Sequence, residues 1–98
     1  MKLCHPAMFP VALAARLIEC FTTQEDRVIL DPFAGTGATP LAAEMLGRVG
    51  IGIDISPAYC EVARSRPLQQ ALPGTARLAP ERPGERRIYC DDARNLLR

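Results

Sequence analysis

Val28-Ile-Leu-Asp-Pro-Phe-Ala-Gly-Thr-Gly37 is the stretch that decides the fold. Three apolar residues, Val28 to Leu30, stop abruptly at Asp31-Pro32, and a turn of small residues follows: Ala34, Gly35, Thr36, Gly37. Thr39-Pro40 then opens a helix-like stretch. A buried strand feeding a glycine-rich turn and a helix N-terminus is how α/β proteins bind nucleotides. Glycine lets the backbone approach a ligand closely, and free amides at the helix start bind its polar groups. The phosphate-loop form needs Lys-Ser/Thr after the second Gly, and residue 38 is Ala. The dinucleotide form needs Gly or Ala three places after Gly37, and residue 40 is Pro. The turn therefore suits a nucleoside rather than a phosphate chain.

Upstream of it, apolar residues recur at 11, 14, 15 and 18, and again at 14, 17, 18 and 21. This spacing predicts an amphipathic helix over Val11 to Phe21, with Arg16 and Glu19 outside its apolar face. Arg27 to Leu30 predicts a central buried strand. Downstream, Thr39 is expected to cap a helix with Pro40 at its first position and Gly47 as its stop. Leu41, Ala42, Met45 and Leu46 would face the sheet. Val49 to Ile53 predicts a second strand, and Ser56-Pro57 repeats the cap-then-proline device for a helix running to about Arg66. Residues 67–87 carry Pro67, Pro73, Pro80 and Pro83 among Arg, Glu and Gln, the composition of an exposed linker. Arg87 to Cys90 predicts a third strand, followed by a helical turn to Leu97. The β-α-β-α-linker-β order gives an α/β fold with a parallel sheet.

Ninety-eight residues make one small domain. Its apolar stretches fall far short of a membrane span, and no charged-then-apolar signal segment begins the sequence. Cys4, Cys20, Cys60 and Cys90 form no Cys-x-x-Cys pair and accompany a single His, so free cysteines in a cytoplasmic protein are expected rather than structural zinc. Net charge is +1. Residues 1–65 hold five basic and seven acidic side chains, and residues 66–98 seven and four. This balance does not by itself point to DNA.

Two further acidic positions stand at strand ends. Asp54 closes the second strand, where an acid of a nucleotide-binding α/β fold accepts hydrogen bonds from ribose hydroxyls. Its alternative role is that of a helix-capping residue, which Ser56 already fills. Asp91 and Asp92 follow the third strand, near the expected adenine edge of a nucleoside. Their alternative is capping of the turn that begins at Ala93.

These residues together resemble the S-adenosylmethionine-dependent DNA amino-methyltransferases, which methylate the exocyclic nitrogen of cytosine (N4) or adenine (N6). Asp31, Pro32, Phe33, Gly35, Thr36 and Gly37 match that family's Asp-Pro-Phe-x-Gly-Ser/Thr-Gly cofactor loop. Gly52, Asp54, Pro57 and Tyr59 match its Gly-x-Asp/Glu-x-x-Pro-x-Tyr, and Asp92-Ala93 aligns with its Gly-Asp-Ala/Ser, Asp91 replacing the Gly. His5-Pro6-Ala7-x-Phe9-Pro10 matches an upstream segment that folds over the methionine end of the cofactor. Read without the family, His5 is a loop histidine, Phe9 a hydrophobic staple and Phe33 a core side chain.

The resemblance implies a Rossmann-like class I methyltransferase fold, present here as a partial parallel sheet of about three strands. Residues 1–66 would be the cofactor-binding core, 67–87 a Pro/Arg-rich linker, and 88–98 the third strand and the start of a catalytic part. The turn (Asp31, Pro32, Phe33, Ala34, Gly35, Thr36, Gly37) would hold the methionine moiety of S-adenosylmethionine. Asp54 and Ile55 would hold its ribose side, Asp92 and Ala93 its adenine edge, and His5, Pro6 and Phe9 would cover its methionine end. The family's catalytic Asp/Asn/Ser-Pro-Pro-aromatic signature has no counterpart, because the sequence contains no Pro-Pro pair. DNA would then be engaged through a part not in this chain, on a second polypeptide or a further C-terminal segment. Without that part's strand beside it, Val28 to Leu30 would present an open apolar edge. Two other readings share the cofactor turn: a non-catalytic cofactor- or partner-binding module, and a fragment of an RNA or small-molecule methyltransferase. Pro40 disfavours a nicotinamide-dependent oxidoreductase.

Overall fold

The helical and strand periodicities of the sequence become alternating elements in the computed structural model, which describes residues 10–68 and 82–97. They run α1 (Val11–Phe21), β1 (Val28–Asp31), α2 (Ala38–Met45), β2 (Val49–Asp54), α3 (Pro57–Ser65) and β3 (Glu85–Cys90), then a 3-10 turn (Ala93–Leu97). The three strands form one parallel sheet in the order β1-β2-β3, with Val28 opposite Val49 and Val49 opposite Glu85. This is an α/β architecture, a partial Rossmann-like fold.

Because the strands advance one place at a time in the same direction, right-handed crossovers put α2 and α3 on the same face of the sheet. Contacts agree: Arg86 on β3 pairs with Glu44 of α2 and donates to the Ala63 carbonyl of α3. α1 lies outside α2, so α2 is sandwiched, and Pro40, Leu41, Ala42 and Ala43 are all buried. Ala42 and Ala43 join Ala14, Ala15 and Ile18 of α1 in the larger core cluster. Pro40 and Ala43 come closest to the two strand glycines of β2. A Cβ at Gly50 would lie 2.5 Å from the Pro40 carbonyl oxygen, and one at Gly52 would lie 2.7 Å from Pro40 Cγ. The two strand glycines therefore let α2 settle close onto β2. Cys60, Ala63 and Ile88 form a second, smaller cluster beneath α3.

Three expectations are corrected. Among the described residues β1 is an edge strand and β2 the central one, against the central strand read from apolarity but in keeping with the open apolar edge that the resemblance implies; Val28 and Leu30 remain 57% and 50% exposed. Second, α2 starts at Ala38, not after a Thr39 cap. Gly37 is the cap residue, with φ +86°, and no side chain caps this end. Pro40 still fits, because the first turn's amides lack helical partners in any case. Gly47, at φ +78°, follows the end of α2 as expected. Third, β3 begins at Glu85, so the end of the Pro/Arg-rich stretch is strand. Glu85 N donates to the Arg48 carbonyl (3.0 Å), and Arg86 is drawn onto the helix side by Glu44. The rest of that stretch, residues 69–81, lies outside the described residues.

Below the sheet, the Arg48 guanidinium is buried. Its Nη1 donates to Thr22 Oγ1 (2.9 Å) and to the Asp26 carbonyl (3.1 Å), fastening the α1–β1 loop to the start of β2. No described helix is long and apolar enough to cross a membrane. Cys20, Cys60 and Cys90 are free thiols.

Candidate functional site

In an open parallel sheet, ligands settle outside the carboxyl ends of the strands. Here those ends deliver Asp31 from β1, Asp54 from β2, and Asp91-Asp92 after β3. The glycine turn stands between the first two.

The turn is built by its own sequence. Asp31 Oδ1 accepts from Phe33 N (3.0 Å), bending the chain at Pro32. Ala34 N donates to the Ile53 carbonyl (2.9 Å), and Gly37 N donates back to the Ala34 carbonyl (2.8 Å). Gly35 (φ +56°) and Gly37 (φ +86°) both occupy left-handed backbone, yet for different ends. A Cβ on Gly37 would sit 2.6 Å from Ala63 Cβ, so this glycine admits the close approach of α3. A Cβ on Gly35 would meet nothing within 4 Å, so this glycine has open space beside it.

Asp54 is the hub. Its Oδ2 accepts from Gly35 N (2.8 Å) and its Oδ1 from Ser56 N (2.9 Å), so one carboxylate fastens the glycine turn to the β2–α3 turn. The Asp54 carbonyl accepts from Asp91 N (2.9 Å), which brings the end of β3 alongside. Each carboxylate oxygen has capacity for further donors. Ser56 caps α3, its Oγ accepting from Tyr59 N (3.3 Å), with Pro57 at the helix start. Asp54 thus shapes the β2–α3 turn through Ser56 N and stands beside the glycine turn through Gly35 N.

The remaining positions divide. Phe33 is 80% exposed, which removes the core-packing alternative, and Ile55 is 70% exposed beside Asp54. Pro32 and Thr36 are half-buried and Ala34 is buried under the turn. Asp92 takes the capping role: its Oδ1 accepts from Arg94 N (2.9 Å), and its carboxylate pairs with the Arg94 guanidinium (2.5 Å). That pairing holds the Asp92 carboxyl down at about 2. Ala93, half-buried, opens the 3-10 turn. His5, Pro6 and Phe9 lie outside the described residues.

Two arginines absent from the sequence reading support the site. Arg66 Nη1 donates to the Thr36 carbonyl (3.2 Å), linking the end of α3 to the glycine turn; burial, then the nearby Arg86, lowers its pKa. Arg86 spans three elements: its Nε pairs with Glu44 Oε1 (2.8 Å) while Nη1 and Nη2 donate to the Ala63 and Arg66 carbonyls (2.8 Å each). Neither residue belongs to a motif, and only a sheet register placing Arg86 on the helix side could have singled it out.

The comparisons with known proteins agree with this geometry. The family model for N6/N4 DNA methylases matches residues 2–65, which include α1, the glycine turn, Asp54 and all of α3. The type II methyltransferase M.ScaI of Streptomyces caespitosus is 45% identical over 62 residues, covering 63% of this chain and 20% of the relative. M.HpaI of Haemophilus parainfluenzae is 42% identical over 62 residues, covering 63% of this chain and 19% of its own. M2.DpnII of Streptococcus pneumoniae is 45% identical over the same length, again 63% of this chain and 23% of the relative. The chain thus spans about a fifth of the length of these curated relatives. No solved structure matches it. With the family model covering most of the chain, and with the glycine turn and Asp54 standing together at the carboxyl ends of the strands, the chain belongs to the N6/N4 DNA methylase family.

Proposed function

We propose that this chain binds S-adenosylmethionine at the carboxyl ends of β1 to β3 and forms the cofactor part of a DNA methyltransferase acting on the exocyclic amine of adenine or cytosine. The observation that carries the reading is the pairing of Gly35 with Asp54. An unobstructed left-handed glycine lies next to a carboxylate that its own amide holds at 2.8 Å. Backbone can approach a ligand there, and the carboxylate keeps lone pairs for ribose hydroxyls. The donor set also fits the cofactor's charge. Asp31, Asp54 and Asp91 bring three carboxylates to the carboxyl ends of the strands, which favours a ligand carrying a sulfonium and an ammonium over one carrying phosphates.

In this reading the residues bind and orient. The turn from Asp31 to Gly37 takes the methionine moiety, Asp54 the ribose, and exposed Phe33 and Ile55 wall the nucleoside. Asp92 and Ala93 border the adenine edge, and His5, Pro6 and Phe9 close over the methionine end. The cofactor, when bound, supplies an activated methyl group for in-line transfer to an amine; the work of the protein there is positioning. Residues 1–66 are the cofactor core, 67–87 the linker, and the stretch from 88 leads toward the catalytic part.

The catalytic Pro-Pro-aromatic segment and the DNA contacts come from a further segment or a second polypeptide, and the chain alone is inactive. The sheet supports this reading. Val28, Leu30 and Tyr89 present an apolar face that is half exposed, whereas parallel sheets are ordinarily covered on both faces. Calorimetric titration of S-adenosylmethionine tests the cofactor assignment. Saturable binding is expected, lost in Asp54→Asn while circular dichroism shows an intact fold. A folded wild-type chain that takes up no cofactor, or an Asp54→Asn variant that binds equally well, overturns it.

A further inference from the structure

Two thiols meet beside the candidate site in a way that cofactor binding does not explain. Cys60, in the first turns of α3, is completely buried, and Cys90, the last residue of β3, is exposed. Register places Cys90 directly opposite Asp54. Cys60 Sγ donates to the Asp54 carbonyl (3.3 Å) and reaches the Tyr89 carbonyl (3.8 Å), one residue before Cys90. Cys90 Sγ in turn reaches the Ile55 carbonyl (3.8 Å), one residue after Asp54. Both thiols therefore approach the same carboxyl end of the β2–β3 pair, Cys60 from α3 and Cys90 from the end of β3, one reachable from solvent and one not.

We propose that Cys60 and Cys90 form a hydroperoxide-responsive dithiol that closes to a disulfide between α3 and the end of β3. The chemistry is two-stepped and balanced. Cys90 sulfur attacks a peroxide oxygen, the O–O bond breaks, and the departing oxygen leaves as water (or an alcohol) with the thiol proton, giving a sulfenic acid. Cys60 sulfur then attacks the Cys90 sulfur and displaces hydroxide, which leaves as water with the Cys60 proton. Two electrons pass from the thiols to the peroxide. The division of roles follows from exposure: an oxidant reaches Cys90, and Cys60 is the resolving thiol already in place. Burial, reinforced by the neighbouring Cys90, raises the pKa of Cys60, so the exposed Cys90 is the thiol that meets the oxidant first.

Closing the bridge draws the end of β3 onto α3 at Asp54, so the oxidised chain should bind S-adenosylmethionine more weakly. This consequence rests on the proposed cofactor role, whereas the bridge does not.

The test is oxidation of the full chain with hydrogen peroxide, alkylation of remaining thiols under denaturing conditions, and tryptic mapping. Cleavage at Arg48, Arg64, Arg87 and Arg94 places Cys60 and Cys90 on separate peptides, 49–64 and 88–94. The expected result is a disulfide-linked 49–64/88–94 pair that dithiothreitol resolves. In Cys90→Ser, Cys60 should remain fully alkylatable after the same treatment. Cys90 over-oxidised while Cys60 stays alkylatable, or bridging through Cys4 or Cys20 instead, overturns the proposal. A reduced wild-type chain that binds no cofactor but forms the bridge refutes the cofactor role and leaves the dithiol standing.

Discussion

The two glycines of the Asp31–Gly37 turn should fail in opposite ways when each is replaced by alanine. At Gly37 the new methyl group would lie 2.6 Å from Ala63 Cβ and 3.0 Å from Ala63 Cα, on backbone held at φ +86°. Left-handed backbone costs an L-residue about 1–2 kcal/mol. Forcing a methyl group into packed helix costs about 1–3 kcal/mol more, so Gly37→Ala should lose about 2–5 kcal/mol. For a domain of this size that lowers Tm by about 10 °C or more. At Gly35, φ is +56° and the added methyl meets nothing within 4 Å. The fold should lose only the backbone cost of about 1–2 kcal/mol. The methyl group would nevertheless stand where the ligand is to approach, so S-adenosylmethionine affinity should fall about tenfold or more, ~1.4 kcal/mol or greater. Thermal melts by circular dichroism and calorimetric titration of both variants separate these outcomes. Gly35→Ala melting as low as Gly37→Ala, or binding cofactor like the wild type, would refute the division of roles.

Other perturbations follow from the same contacts. Ser56→Ala removes the oxygen that accepts from Tyr59 N and should cost about 1 kcal/mol by chemical denaturation. Glu44→Gln replaces the carboxylate that pairs with Arg86 at 2.8 Å in a largely buried setting, and should lower stability by about 1–3 kcal/mol on the same measurement. The Asp92 carboxyl is held at about 2 by Arg94, below its ordinary 3.8. Its contribution is therefore complete above about pH 4 and lost as pH falls toward 2. An NMR pH titration should place its midpoint near 2, moving up toward 3.8 in Arg94→Gln; an unmoved midpoint would dissociate the shift from that pair.

Local chemistry was legible where a residue type has one physical use. Ser56-Pro57 starts α3, Gly47 follows the end of α2, and the 3.6-residue spacing gives α1 its observed bounds. Asp54 was identified from its place at a strand end, but its grip on Gly35 N depends on how two separate turns meet. The start of α2 was misjudged because Thr39-Pro40 imitates a cap, whereas the left-handed Gly37 already begins the helix. β1 reads as central because Val28 to Leu30 is uniformly apolar; its edge position comes from strand order, which hydrophobicity does not encode. The start of β3 was hidden by charge. Arg86 looks like linker sequence until the register turns it toward Glu44 and the end of α3. The approach of Cys60 to the end of β3 that carries Cys90, 30 residues apart in sequence, is likewise a product of α3 packing on β3.

The central claim is that the Gly35–Asp54 junction holds the nucleoside of S-adenosylmethionine. A 15N-labelled chain titrated with the cofactor and followed amide by amide tests it most directly. The account predicts saturable shifts at Gly35 and Ser56, whose amides the Asp54 carboxylate holds, with Ile55 and the turn from Phe33 to Gly37 moving at the same ligand concentrations. Shifts confined to α1 or the open sheet face around Val28 and Leu30, or none in a well-dispersed spectrum, would contradict it.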